Sequence, residues 1–427
     1  MKEGDKRTVR VGLLGFGTIG SSVYGLIEKE RAAILEATGV DLRVGRILDI
    51  DTEKWGIGAP AELFTADFED IASDPEIGIV VELIGGVDWA FTFVEASFRR
   101  GKDVVTANKQ LIANRGAALF DLAKELGRQI RFEASVAGAI PVIRVMREGM
   151  VAADLHTIYG IVNGTTNYIL TAMYEGVGGY ADTLARAQEL GYAEADPTAD
   201  VGGGDAAAKM AILASIAYRS RVAMADVTYE GIEGVSLEDV QYAKDFGFVV
   251  KLVGAARLID GRVSVRVYPA LVPRAHLLAS INGSINAVYL QGHAIGEIML
   301  TGPGAGGDPT ATAVVGDVMT IVGTEGAGFL QNCTCYKQLP FLPADQLESA
   351  FFIRMQVEDR AGVLAQISSV FGDHDVSIES MIQKGQGDEA ELVFITYPSV
   401  EKAFFRAIDG IAGLSCVKSR PMTIRVL

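Results

Sequence analysis

Residues 7–20 read RTVRVGLLGFGTIG, and this stretch decides the fold of the N-terminal part of the chain. Residues 7–15 are an apolar run rich in Val and Leu, and residues 19–37 have helical spacing. The junction between them is G-x-G-x-x-G. Gly15 permits the tight turn, Gly17 lets backbone approach a pyrophosphate, and Gly20 allows close helix–strand packing. The N–H groups that open the helix are oriented toward phosphates. Gly15, Phe16, Gly17, Thr18, Ile19 and Gly20 are therefore candidate cofactor-binding residues. Alone, the motif also suits an ordinary glycine-rich turn; a strand before it and a helix after it select dinucleotide binding.

Outward from this motif, further short apolar strands are expected at residues 42–50, 77–83 and 103–107, with helices at 89–100 and 112–126. Nearly continuous apolar strands separated by helices indicate a parallel sheet covered on both faces. The fold class is α/β, a Rossmann-type doubly wound domain over residues 1–138. The second strand ends RILD at Asp49. A carboxylate there hydrogen-bonds a ribose 2′-hydroxyl and repels a 2′-phosphate, which favours NAD over NADP. VVTANKQLIA (104–113) places Asn108 and Lys109 at the carboxyl end of a parallel strand, where open α/β sheets bind ligands. A surface lysine at a strand–helix junction is the plain alternative for Lys109.

From about residue 139 the pattern becomes α+β, and residues 139–301 read as an α+β substrate domain. Residues 302–330 open with GPGAGGDP, continue as a helix over 310–322, and are expected to pack back on the first domain. A linker at 331–348 contains two prolines. Residues 349–427 read strand–helix–strand–strand–helix–strand, the ferredoxin-like βαββαβ order.

Composition narrows the function classes. The 427 residues include 38 basic and 54 acidic side chains, a net charge of -16, which argues against nucleic acid as a partner. Mean hydropathy of +0.26 excludes a mainly disordered chain. Two stretches without charge, 155–174 and 275–296, carry Asn, Gly and His that a membrane span would have to bury in lipid, so no span is expected. Three cysteines without a C-x-x-C pair give no disulfide framework and, with no signal-peptide pattern, point to the cytoplasm.

The strongest constellation is GYAEADPTADVGGGDAAAKMAILA (191–214). It gathers Glu194, Asp196, Asp200 and Asp205, with Lys209 one helical turn after Asp205. The apolar MAILASIA that follows implies a buried helix. Burial loosens the lysine proton while carboxylates hold it, a balance suited to proton transfer. A solvated acidic loop with one i,i+4 ion pair is the bland alternative. The four histidines lack ligand spacing, which speaks against a catalytic transition metal.

Residues 187–209 fit the pattern of the homoserine dehydrogenase family without a gap, and VELIGG, TANKQLIA, EASVAGAIPVI, NGTTNYIL and GPGAGGDPTATAVVGD resemble that family in the same order. The tail resembles an ACT domain, with DRAGVL (359–364) at its first strand–helix turn. The resemblance implies reversible NAD(P)-dependent reduction of L-aspartate 4-semialdehyde to L-homoserine. It implies Lys209 as proton donor, Lys109 as a second proton-handling or cofactor-contacting lysine, and Asp205 as the group orienting Lys209. Glu194 and Asp200 would bind the substrate ammonium, with Thr165 and Thr166 lining the pocket. Thr106 and Gly302 would join the cofactor contacts. Glu133 and the carbonyls of Val136, Gly138 and Ile140 would hold a structural sodium ion. The resemblance further implies that residues 139–301 are the substrate-binding, catalytic and dimerisation domain of a homodimer or homotetramer, and that a threonine effector acts through the ACT domain.

One departure concerns the cofactor: many relatives offer an arginine at the end of the second strand, whereas this chain offers Asp49, with Arg43 and Arg46 preceding it. Rival readings are another aldehyde-reducing dehydrogenase of the same fold, or an amino-acid sensor that kept a dinucleotide fold. An aldehyde dehydrogenase with a catalytic cysteine is disfavoured, because Cys333 and Cys335 lack a supporting histidine.

Overall fold

The computed structural model describes residues 7–324, 335–386 and 388–427. The chain divides into two compact units: Met1–Val162, Ala207–Val227 and Ile285–Leu339 form one, and Asn163–Ala206, Thr228–Ser284 and Pro340–Leu427 the other.

The first unit contains a parallel sheet of six strands: β1 (Arg7–Leu14), β2 (Val40–Leu48), β3 (Phe64–Thr65), β4 (Ile77–Glu82), β5 (Asp103–Thr106) and β6 (Ile130–Arg131). Their order is β3-β2-β1-β4-β5-β6, so the direction of winding reverses beside β1. That reversal opens a crevice at the carboxyl ends of β1 and β4. Val11, Leu13 and Leu14 of β1 are buried because helices cover the sheet, including Thr18–Thr38 with Val23 and Ile27. The helix Gly307–Gly323 adds Ala311, Val314 and Val318 to the same core. Three antiparallel strands, Leu155–Ile161, Ile285–Gly292 and Gly296–Pro303, complete this unit's strands.

The second unit contains helices Gly164–Glu175, Tyr180–Glu189 and Leu237–Asp245 and the long hairpin Phe248–Ile259/Arg262–Pro273. Asp260 and Gly261 close that hairpin with φ of 50° and 73°, both left-handed, as a two-residue primed turn requires. The ACT strands follow the order Met422–Val426, Glu348–Glu358, Glu389–Thr396, Ile378–Gln386. Met422–Val426 also pairs in parallel with Arg262–Pro273, through Ala270–Arg425 and Leu271–Val426. The ACT sheet therefore continues the sheet of the hairpin. Its own core is aromatic, with Phe351 stacked on Phe404 beneath Ile367, Phe371 and Ile408.

Several expectations shift. The second strand ends at Leu48, so Asp49 lies just beyond it. NGTT forms the cap and first turn of the helix Gly164–Glu175. Cys335 is disulfide-bonded, against the expectation from composition, while Cys416 is a buried free thiol. Among the described residues no helix is long and apolar enough to cross a membrane.

Candidate active site

The glycines of GFGTIG meet three different demands. Gly15 has φ of 97°, and a Cβ there would lie 3.1 Å from the Leu83 carbonyl oxygen. At Gly20 a Cβ would lie 2.2 Å from the Gly15 carbonyl oxygen, whereas at Gly17 it would meet nothing within 4 Å. The helix Thr18–Thr38 has no side-chain cap and no acidic residue in its first turn, so its leading N–H groups stay free of side-chain acceptors. Residues and space fit a dinucleotide pyrophosphate. Asp49 buttresses this loop: its carboxylate accepts from Phe16 N at 2.9 Å and from Asp51 N at 2.9 Å. Arg43 is paired with Asp41, and Arg46 donates to the Glu62 carbonyl at 2.7 Å.

At the ends of β4 and β5 lies a carboxyl that the sequence reading passed over. Glu82 is fully buried and accepts from Thr106 Oγ1 at 2.5 Å and Ile84 N at 3.0 Å. Burial raises its carboxyl above the ordinary range, against the hydrogen bonds. Thr106 Oγ1 in turn accepts from Asn108 N at 3.0 Å, and Asn108 caps the helix Lys109–Glu125 by accepting from Leu111 N at 3.0 Å. Lys109 thus stands at the first helical position, held in place from below by Glu82, Thr106 and Asn108. Gly302 lies in a strand, with its Cβ position 3.2 Å from Ile140. The glycine that approaches the cofactor loop is Gly307, whose Cβ position is 3.5 Å from the Thr18 carbonyl oxygen.

In the second unit one side chain organises the acidic cluster. Asn163 caps the helix Gly164–Glu175, its Oδ1 accepting from Thr166 N at 2.9 Å. Its Nδ2 donates to Asp200 Oδ1 at 2.7 Å and to Asp205 Oδ2 at 2.9 Å. Thr165 Oγ1 lies 3.2 Å from Asp200 Oδ2 and donates to the Tyr192 carbonyl at 2.6 Å. Asp200, Asp205, Thr165 and Asn163 therefore come together. Glu194 does not join them; its side chain is exposed. Thr166 is spent on the cap, 1% exposed, with its hydroxyl against Asn163. The helix Gly204–Ala217 carries Asp205 in its first turn. On the same helix, Lys209 is 8% exposed and donates to the Val162 carbonyl at 2.7 Å.

The loop 133–144 holds a second buried carboxyl. Glu133 accepts from Ile143 N at 2.8 Å and Arg144 N at 2.7 Å. Burial and the neighbouring Asp317 push its carboxyl up to about 7. Ala137 and Gly138 are both left-handed, at φ of 57° and 54°, a conformation alanine rarely adopts. Asn286, 1% exposed and packed against Gly304, leaves both amide atoms unpaired. A buried carboxyl held above its ordinary range despite Arg144, and an orphaned amide against Gly304, which itself packs on Gly138, fit a small cation in this loop. Among the described residues there is no cluster of three or more His, Cys, Asp or Glu suited to a metal.

A doubly wound sheet whose first crossover helix opens, after a glycine turn, with no side-chain cap and no acidic residue defines the class: a dinucleotide-dependent oxidoreductase, here with an ACT module. Residues 15–133 match the homoserine dehydrogenase NAD-binding domain, residues 141–319 homoserine dehydrogenase, and residues 351–402 the ACT domain. The chain belongs to the homoserine dehydrogenase family. It is 39% identical to the homoserine dehydrogenase of Bacillus subtilis over 98% of each chain. It is also 39% identical to that of Corynebacterium glutamicum, covering 99% of this chain and 97% of the other. The crystal structure of a homoserine dehydrogenase from Thiobacillus denitrificans matches with a TM-score of 0.94 at 37% identity, over 99% of this chain and 98% of that one.

Proposed function

We propose that the chain interconverts L-aspartate 4-semialdehyde and L-homoserine with Lys209 as the proton donor. The observation that carries the reading is the buried Lys209 amine on the helix whose first turn holds Asp205. The nicotinamide cofactor, when bound, supplies the hydride to the aldehyde carbon. Lys209 polarises the carbonyl oxygen and delivers the proton as negative charge develops there. Asp205, fixed by Asn163, orients Lys209. Asp200, held by Asn163 and Thr165, takes the substrate ammonium, with Glu194 closing on it from the exposed loop. Lys109, seated on the Asn108 cap, contacts the cofactor or handles a second proton.

NAD is the favoured cofactor. Although the Asp49 carboxylate is engaged with backbone N–H groups, its negative charge stays at the strand end and opposes a 2′-phosphate. A sodium ion in the loop of Glu133, Val136, Gly138 and Ile140 serves a structural role. The working form is a cytoplasmic homodimer or homotetramer, and threonine inhibits through the ACT domain.

The test is a spectrophotometric assay of homoserine oxidation with NAD and NADP side by side, with and without threonine. Oxidation that quickens at alkaline pH is expected, because the lysine must accept a proton in that direction. Failure on homoserine, with turnover of another amino aldehyde, would sink the substrate assignment.

A further inference from the structure

We propose that a small aromatic carboxylic acid binds in a cleft between the helix Lys109–Glu125 and the last turns of the helix Gly204–Ala217. The cleft lies wholly inside the first unit and has a volume of about 180 Å³. Ile112, Gly116 and Phe120 line it from the first helix and Ile212 and Ile216 from the second, with Phe132 completing the apolar wall. Phe120 and Phe132 stack with ring centroids 5.3 Å apart. A Cβ at Gly116 would lie 3.2 Å from the Phe120 ring, so a glycine inside this helix keeps room for that ring. A cavity of about 150 Å³ with Leu, Ile and Phe walls takes a benzene ring, so this one holds a ring with a short polar substituent. Arg221 selects the substituent. Its Nη2 donates to Asp121 Oδ1 at 2.5 Å, whereas its Nε is buried without a hydrogen-bond partner among the described residues. The other polar groups of the lining are engaged: Ser215 Oγ with Val222 N and O at 3.1 Å, Asp226 with Ala223 N at 2.9 Å, and Asn114 Nδ2 with the Gln110 carbonyl at 2.8 Å. A guanidinium N–H left over in an apolar cleft is matched by a carboxylate.

The walls of the cleft are continuous with two lysines. Ile112 follows Lys109, and Ile212 follows Lys209, by about one turn of the same helix. The pair Arg221–Asp121 straps the segment after the second helix to the first. A ring seated between the helices fixes their separation, while its carboxylate competes with Asp121 for Arg221. Occupancy therefore lowers kcat and leaves the homoserine KM unchanged, because Asp200 and Asp205 are not part of the lining. This coupling rests on the reading that Lys109 and Lys209 serve the reaction; binding in the cleft does not.

The test uses the full chain with benzoate as probe, followed by calorimetry and by homoserine oxidation. Acetate, which lacks the ring, is expected not to bind. Arg221→Gln removes the guanidinium, and Ala223→Leu fills the mouth of the cleft at an exposed position. Each is expected to weaken benzoate binding by about tenfold or more, leaving turnover without benzoate within about twofold. Asp121→Asn releases Arg221 and is expected to tighten benzoate by about threefold or more, a gain that misfolding cannot imitate. A wild-type chain that does not bind benzoate overturns the proposal, as does binding undiminished in both Arg221→Gln and Ala223→Leu. Binding with kcat unaffected, in a chain active on homoserine, keeps the site and overturns the coupling. Binding lost in both variants, in a chain inactive on homoserine, supports the site and counts against the catalytic reading instead.

Discussion

At the scale of single residues, Asn163 does more than its sequence position announces. An Asn before GTT reads as a helix cap, and the cap uses only Oδ1. The amide nitrogen is left to join Asp200 and Asp205, which lie 37 and 42 residues further on. No local pattern encodes that reach, so the acidic loop and Lys209 were legible in the sequence while the side chain that joins Asp200 to Asp205 was not. Asn163→Ser keeps a cap acceptor but loses the amide. Near wild-type melting with a homoserine KM raised about tenfold is expected. An unchanged KM would mean that the two carboxylates need no clamp. For Lys209→Ala, turnover should fall by about 10²–10⁴-fold, the usual reach of a general acid, while cofactor binding measured by fluorescence persists. Turnover near wild type in that variant would remove Lys209 from the chemistry.

At the scale of elements, the hairpin strand Phe248–Ile259 carries Lys251, which is 2% exposed. Its ammonium donates to Asn167 Oδ1 at 3.0 Å, the Ile281 carbonyl at 2.5 Å and Asn282 Oδ1 at 3.2 Å. All are neutral acceptors. Burial pushes the lysine down to about 8, with Glu175 opposing the shift. The unfolded chain therefore binds the extra proton between about 8 and its ordinary value near 10.5, and Lys251 adds stability as pH rises through that window. Denaturant unfolding of wild type minus Lys251→Met should gain about 2 kcal/mol between pH 8 and 9.5. A pH-independent difference would show that the ammonium is not strained by burial. In the sequence VSVRVYPALV (263–272) reads as a strand but its partner at 248–259 does not, although Asp260-Gly261 between apolar runs is a strong turn signal. At the loop 133–144, sodium chloride should raise the melting temperature over choline chloride of equal strength, and Glu133→Gln should abolish the gain. Equal melting in both salts speaks against a bound sodium ion.

At the scale of the whole molecule, the ACT module is not appended by a linker alone. Glu401, 1% exposed and first in the helix Glu401–Ala412, binds Arg425 of the ACT sheet and Arg266 of the hairpin, with Arg266 Nη1 at 2.5 Å. Burial alone would raise the Glu401 carboxyl, but the two arginines outweigh it and hold it below its ordinary value. A second tie runs from Arg354 of the ACT sheet to Asp239 at 2.6 Å on the helix Leu237–Asp245. Glu401→Ala leaves two guanidinium groups without their buried partner, and a loss of about 3–5 kcal/mol in unfolding free energy is expected. A loss below about 1 kcal/mol would mean that water replaces the carboxylate. Deletion from Glu348 should weaken threonine inhibition, though it also strips the hairpin of the strand Met422–Val426.

The sequence by itself determined the parallel sheet, the GFGTIG turn, the βαββαβ tail and the acidic segment ending at Lys209. Each is written in local periodicity, or in glycines where a side chain would collide or a positive φ is needed. The tertiary structure alone decided that Asn163 joins Asp200 to Asp205, that Glu82 underlies Lys109, and that the ACT sheet continues the hairpin. Those arrangements depend on side chains and strand edges far apart in the chain. Their partners are chosen by burial and hydrogen-bond satisfaction, which no short window of sequence contains.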